Sequence, residues 1–434
     1  MSLVKKNIKK ESKKKQSKKK QSKKEKKVKK EPKTPLKPPL KKDGCINLDS
    51  INSPNLCLKL DKPPPAKVIS ATEQKKIVKE SSDYILSTCD TNSEKYTVFF
   101  TSGEAESNMI ILYTAVNAYK KIRKVKPHVI ISSVEHDSVI TIAKSLLDSD
   151  QIELSIIKPN VYGCVLSESI TSLLKPNTCL VSITYINHEL GSVNNISKIG
   201  DILHEKRIPL HSDCSYIFGK HKIDLAKTNI DAATVSFDKL NGPQGIGALI
   251  IRNDLFNGYK LNEHSTLLEN KPPHNTPNIL NAVASLKLSM TDRKNKNAKM
   301  LALRNTIIDK LSADCQTMTF ANFVKSDSPP LEETEKSKNK LVILGPPVNN
   351  ESYYTPSILS FMLSSPKQKT AAMIKDELEK KEIFIGVPDL DKTQIYNEIG
   401  MPKEAQPYII RVSLSDDITS DDINTFISEI HKIC

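Results

Sequence analysis

The sequence predicts an α/β protein: a mostly parallel sheet covered by helices, a smaller α+β part after it, and a basic tail before it. Three observations lead there. From Gly44 onward, short β-type runs alternate with helical patterns, the signature of β-α-β units. Polar motifs fall where predicted strands give way to helices, the edge at which such sheets carry their ligands. Charge is segregated: residues 1–42 hold 20 lysines and three glutamates, so this stretch carries +17 of a net +15 and the remaining chain −2. The basic balance describes an appendage, and a body with a broadly basic surface is excluded.

Taken in order, residues 1–42 are low in complexity (Ser12-Lys13-Lys14-Lys15-Gln16, then Ser17-Lys18-Lys19-Lys20-Gln21) and bury no apolar face, so disorder is expected. Tyr96–Phe100 reads as a strand and Ser107–Ile122 as a helix. Val129–Val134 and Ser138–Leu147 repeat the pair. Cys179–Ile186 is a strand, Ile196–Lys206 a helix and Pro209–Ser212 a short strand. Ala232–Phe237 and Gly245–Arg252 are strands around an Asn241-Gly242-Pro243 turn. Long helices follow at Asn275–Met290 and Asp292–Leu311. Residues 325–340, rich in Ser, Pro and charge, read as a surface insertion. Leu341–Leu344, Ser357–Leu363, Lys369–Lys380, Tyr408–Leu414 and Ser420–Ile433 complete the α+β part. The expected division is a tail at 1–42, a large α/β domain at 43–290 and a small domain at 291–434.

Several function classes drop out. No apolar run reaches the ~18 residues of a membrane span, and no apolar stretch follows the charged N-terminus as a secretory signal would require. The first arginine is Arg123, which argues against a mitochondrial presequence. The eight cysteines form no CxxC pair, so neither a zinc site nor a disulfide framework is expected. These readings together describe a reducing, intracellular, cytoplasmic protein without a membrane partner. The tail is open to three roles: solubilisation, nuclear or virion association, and salt-sensitive contact with nucleic acid or another acidic surface. It has no aromatic residue on which bases would stack.

The chemistry concentrates in one stretch. His211-Ser212-Asp213 closes a strand, and Ser236-Phe237-Asp238-Lys239 closes the next, followed by Asn241-Gly242-Pro243-Gln244-Gly245-Ile246-Gly247. A lysine and a carboxylate at neighbouring strand ends suit pyridoxal phosphate, which needs an amine for its Schiff base and an acid for its ring nitrogen. Thr101-Ser102-Gly103-Glu104-Ala105-Glu106-Ser107-Asn108 opens a helix after a strand, as a phosphate cradle does. Val134-Glu135-His136-Asp137-Ser138 and Asn187-His188-Glu189-Leu190-Gly191 end two more strands, and an imidazole at such a place can stack on a ring and carry protons.

In this order the motifs resemble the class V, fold-type I pyridoxal-phosphate enzymes, and more narrowly the NifS-like cysteine desulfurases, over residues 44–434. The resemblance implies a seven-stranded-type sheet, a homodimer and an amino-acid substrate, cysteine or an analogue. It makes Lys239 the Schiff-base lysine, His136 the acid–base residue that stacks on the ring, and Asp213 the partner of the pyridine nitrogen. Gly103, Glu104, Ala105, Ser236, Phe237 and Asp238 would line the cofactor, with the Gly103–Ala105 loop and Ser236 at its phosphate. Thr276 would reach a phosphate across the dimer interface, and Arg411, one of six arginines, would grip the substrate carboxylate.

The departures are specific. Ala105 stands where the family has a phosphate-binding threonine, and Asp238 where it has a histidine. His188 replaces an asparagine and Tyr216 a glutamine that contact the ring. The sulfur-accepting cysteine is absent from Ile383 to Pro407. Cys214, Cys315 and Cys434 are poor replacements, so the alternative to a desulfurase-like enzyme is a catalytically impaired relative with a structural or tail-mediated role.

Overall fold

The computed structural model describes residues 45–49, 70–255, 275–325, 340–346, 353–364, 369–390 and 394–434. The basic tail lies outside them, as does the expected insertion except at its edges. The chain enters with β1 (Ile46–Leu48) and α1 (Ala71–Thr88). The large part then runs β2 (Tyr96–Thr101), α2 (Glu104–Arg123), β3 (His128–Ser132), α3 (Asp137–Asp148), β4 (Glu153–Ile157) and α4 (Ser167–Leu173). It continues through β5 (Thr178–Ser182), α5 (Ile196–Glu205), β6 (Leu210–Asp213), β7 (Ala232–Ser236), β8 (Gly247–Arg252) and α6 (Thr276–Met290). The rest comprises α7 (Arg293–Ala313), β9 (Gln316–Thr319), α8 (Phe320–Lys325), β10 (Lys340–Ile343), β11 (Ile358–Ser364), α9 (Ala371–Glu379), β12 (Ile383–Ile385), α10 (Ile395–Glu398), β13 (Ile409–Ser413) and α11 (Ser420–Ile433).

The main sheet has seven strands in the order β2-β8-β7-β6-β5-β3-β4. β8 pairs antiparallel with β2 and β7, and every other pairing is parallel. Strands covered on both faces read as continuous apolar runs. Accordingly β3, β5 and β7 are buried at every position. Ile130, Ile131 and Val181 are fully enclosed, each contributing roughly 1.5–3 kcal/mol. The helices start where the sequence supplies caps: the Ser70 hydroxyl accepts from Glu73 N–H at α1 and the Asn195 side chain from Lys198 N–H at α5.

The second sheet runs β13-β11-β10-β9 and has its own core, in which Leu303, Ile307, Phe361, Ile374 and Phe426 meet. Here the expected boundary shifts. β1 pairs in parallel with β12, and Ile46 and Leu48 are buried in this second core. The segment assigned to the large domain therefore opens inside the smaller one. β4 and α4 were not foreseen; β4 is a sheet-edge strand, half-buried along most of its length, and lacks the apolar run of its neighbours.

Candidate active site

Five strand ends converge. β2 leads to Gly103, β3 to His136, β5 to His188, β6 ends on Asp213 and β7 leads to Lys239. Parallel strands put these loops at one edge, while residues up to 136 positions apart come together.

Asp213 is buried and accepts a hydrogen bond from the Asn108 amide at 3.0 Å and another from Ser215 N–H at 3.0 Å. Burial, and then the charge of Glu104, raise its pKa. The Asn108 amide also donates to Ser138 Oγ at 3.0 Å, which ties α2 to α3 under the carboxylate. His136 caps α3: its Nδ1 lies 3.3 Å from Ser138 N and 2.8 Å from Ser138 Oγ, which turns Nε2 toward the site. That nitrogen faces Glu104 Oε1 at 3.0 Å. Lys239, with 14% of its side chain exposed, puts Nζ 3.2 Å from Asp238 Oδ2 and 3.9 Å from Glu104 Oε1. Burial opposes ionisation of Glu104, but the His136 hydrogen bond and the charges of His136 and Lys239 bring it down to about 2. Burial likewise opposes protonation of His136, and Glu104 prevails and raises it.

The two ring-contact departures form one unit. His188 and Tyr216 stack with centroids 5.2 Å apart and planes at 14°, and Lys239 Nζ lies 5.5 Å from the Tyr216 ring centre. Burial pushes His188 down to about 4, so it is neutral at pH 7. A cavity of about 90 Å³ beside them is lined by Ser133, Glu135, His136, Asn187, His188 and Gln394.

The start of α2, where a phosphate cup was expected, is a helix N-terminus without a side-chain cap. Gly103 precedes the helix at φ +152°, a glycine conformation. A Cβ on Gly247 would stand 2.7 Å from Gly103 Cα, so only glycine at 247 lets this loop approach the sheet. Ser236 donates to Asp238 Oδ1 at 2.5 Å, and Ala105 is exposed and offers no hydroxyl.

Two expectations change. Phe237 does not face the cofactor; it is fully buried in the large core, edge-on to Phe218 at 6.1 Å, because strand alternation turns it away from Ser236. Arg411 is not an open fork. It is 1% exposed, pairs through Nη1 with Glu189 and lies 3.2 Å from Asp49 Oδ1, while Tyr396 donates to the other Glu189 oxygen at 2.9 Å. The Glu104 carboxylate itself stands in the site, 3.0 Å from His136 Nε2. Thr276 is buried at the start of α6; its assigned contact crosses subunits and is not displayed by one chain.

Sequence reasoning also missed Asn108, Ser138, Glu135, Glu189 and Asp49. All but Asp49 stood in the strand-end motifs, where a polar residue beside the motif's histidine or early in the following helix was the available signal. Glu135 accepts from Thr184 N–H at 2.9 Å and is pushed up by burial to about 8. Among the described residues no cysteine lines this site; Cys214, next to Asp213, is fully buried in the core.

Comparison with known proteins agrees with the geometry. The aminotransferase class-V family model matches residues 71–275. The chain is 36% identical over 180 residues to the cysteine desulfurase IscS of Plasmodium falciparum, covering 42% of this chain and 32% of that protein. It is 31% identical over 226 residues to the putative cysteine desulfurase NifS of Bacillus subtilis, covering 52% and 56%. The matches thus span a third to a little over half of these relatives. A solved NifS-like protein superposes with a TM-score of 0.71 at 18% identity, over 90% of this chain and 99% of that one. Over residues 71–275 the chain is thus similar to the class V aminotransferase family, and the relatives and fold neighbours it matches include NifS-like proteins.

Members of this family work with pyridoxal 5′-phosphate. The donor set here fits that group. Asp213 is a buried acid with no cation within its hydrogen bonds, Lys239 is an enclosed amine, and buried Ser215 Oγ and Ser133 Oγ have no protein partner. The uncapped start of α2 suits an anion. The acid at Asp238, 3.2 Å from Lys239 Nζ, stands where the family has a histidine.

Proposed function

We propose that this chain is a NifS-like enzyme that acts on an amino acid, cysteine or a close analogue, with pyridoxal phosphate held at Lys239. The observation that carries the reading is the convergence of Asp213, His136 and Lys239 at one sheet edge, with Asn108 and Ser138 fixing the first two. Bound there, the cofactor supplies an electron sink for charge developing at the substrate's α carbon. Asp213 would keep a proton at the ring nitrogen, and its burial strengthens that interaction. Lys239 Nζ would move the α proton, and His136 Nε2 would donate to or accept from the substrate. Among the described residues no thiol lines the site, so release of sulfur would draw on a thiol from elsewhere. A homodimer follows the family pattern, with Thr276 of one subunit serving the other.

The test is the visible spectrum of the purified protein with pyridoxal phosphate, beside Lys239→Ala. A band that the variant lacks, with alanine and sulfide formed from L-cysteine plus a thiol, supports the reading. Deleting residues 1–42 should leave that band intact. No band in excess cofactor would favour a second reading, a catalytically impaired relative working through its basic tail. The internally paired Arg411 and the two carboxylates at the phosphate cup speak for that alternative.

A further inference from the structure

We propose that Glu104 and Asp238 are selectivity residues set against the phosphate arm of the cofactor, so that this site binds phosphorylated and unphosphorylated forms of the ring with similar affinity. The inference rests on Lys239 being the cofactor lysine. A phosphate monoester carries about −1.5 to −2 charges at neutral pH. What favours it here is the N-terminus of α2, worth roughly half a positive charge, together with the backbone N–H groups that follow Gly103.

Against this stand two fixed carboxylates. Glu104 is the first residue of that helix, so its side chain springs from the cup itself, whatever rotamer it adopts. Its side chain is only 12% exposed, and its Oε2 is buried without a partner. Asp238 occupies the turn after Ser236 and takes the serine hydroxyl for itself at 2.5 Å. The cup's hydroxyl is therefore spent on an acid, and Ala105 adds none. The basic groups beside the two acids are His136, 3.0 Å from Glu104, Lys239, 3.2 Å from Asp238 and 3.9 Å from Glu104, and partly buried Lys220, whose charge also interacts with Asp238. Condensation of the cofactor's aldehyde with Lys239 Nζ, with loss of water, would commit that amine to the ligand. The phosphate would then meet two like charges, with His136 beside Glu104 and Lys220 near Asp238 left to offset them.

Charges several ångströms apart in a partly buried site interact by enough to change affinity about tenfold or more per carboxylate. The experiment titrates the full-length protein with pyridoxal phosphate and, separately, with pyridoxal. The readout is absorbance of the lysine-bound carbonyl, in wild type, Glu104→Gln, Asp238→Asn and Lys239→Ala. Both neutral variants keep side-chain shape, and the ratio of the two dissociation constants is an internal control, since a damaged fold loses both ligands. In wild type the two constants should agree within about tenfold, and each neutral variant should shift the ratio toward the phosphorylated ligand by about tenfold or more. A wild-type preference for the phosphorylated form above about a hundredfold, or a ratio unmoved by both substitutions, overturns the proposal alone. No Lys239-dependent band with either ligand overturns the cofactor reading, and this inference with it.

Discussion

Replacing Arg411 with methionine separates a structural cation from a substrate-gripping one. The guanidinium is 1% exposed and sits between Glu189 and Asp49, whose side chains are 6% and 9% exposed. At 3.2 Å and an effective dielectric constant near 20, attraction to Asp49 alone is about 5 kcal/mol before desolvation. Desolvation cancels much of the pair's worth, but removing one partner strands the others, and such losses run to about 3–5 kcal/mol. Arg411→Met should therefore lower the urea midpoint by that amount divided by the wild-type slope, followed by far-UV circular dichroism. Asp49→Asn, Glu189→Gln and Arg411→Met combined should recover most of the loss, because no buried charge is left unpaired. A variant that keeps the wild-type midpoint within about 1 kcal/mol yet no longer binds amino acids would refute the reasoning and restore the substrate role.

Two further predictions follow from the same geometry. The His136 imidazole should titrate above the ordinary histidine range in an NMR titration of its ring protons, and Glu104→Gln should bring it down. The pair's contribution to stability is complete below the unfolded histidine value and fades as pH rises through the raised one. On the acid side it is present above 4.5 and lost as pH falls through about 2; an unchanged His136 in the variant would dissociate the two residues. Gly247→Ala would put a methyl group 2.7 Å from Gly103 Cα and 2.8 Å from Gly103 C, both backbone atoms. The expected cost is about 1–3 kcal/mol with weakened cofactor retention, and a variant that retains both wild-type stability and the lysine-bound band would show that the loop yields freely.

Much of the large sheet was legible because its signals are local. β3, β5, β7 and β8 are apolar runs bounded by polar turns, and α2, α3 and α5 begin at polar residues next to such runs. Burial on both faces of a parallel sheet imposes those runs residue by residue. β1 and α10, of three and four residues, were not foreseen: elements that short carry no periodicity of their own, and β1 becomes a strand by pairing with β12.

The candidate site divides along the same line. Strand-end position and residue type were enough to nominate Lys239, Asp213 and His136, since any parallel sheet delivers its carboxyl ends to one edge. Side-chain partners could not be read that way. Asp49 and Arg411 are 362 residues apart, and nothing in either neighbourhood announces the other. Whether Arg411 faces a ligand or a protein carboxylate is settled by which loops pack against β13. The same holds for the stacking of His188 on Tyr216 and for the reach of Glu104 to His136. By itself, then, the sequence determined the fold, the edge of the sheet that carries the chemistry and the residues eligible for it. The tertiary structure alone decided which charges are already spent on one another, because charge pairing depends on distances that folding sets and chain order does not encode.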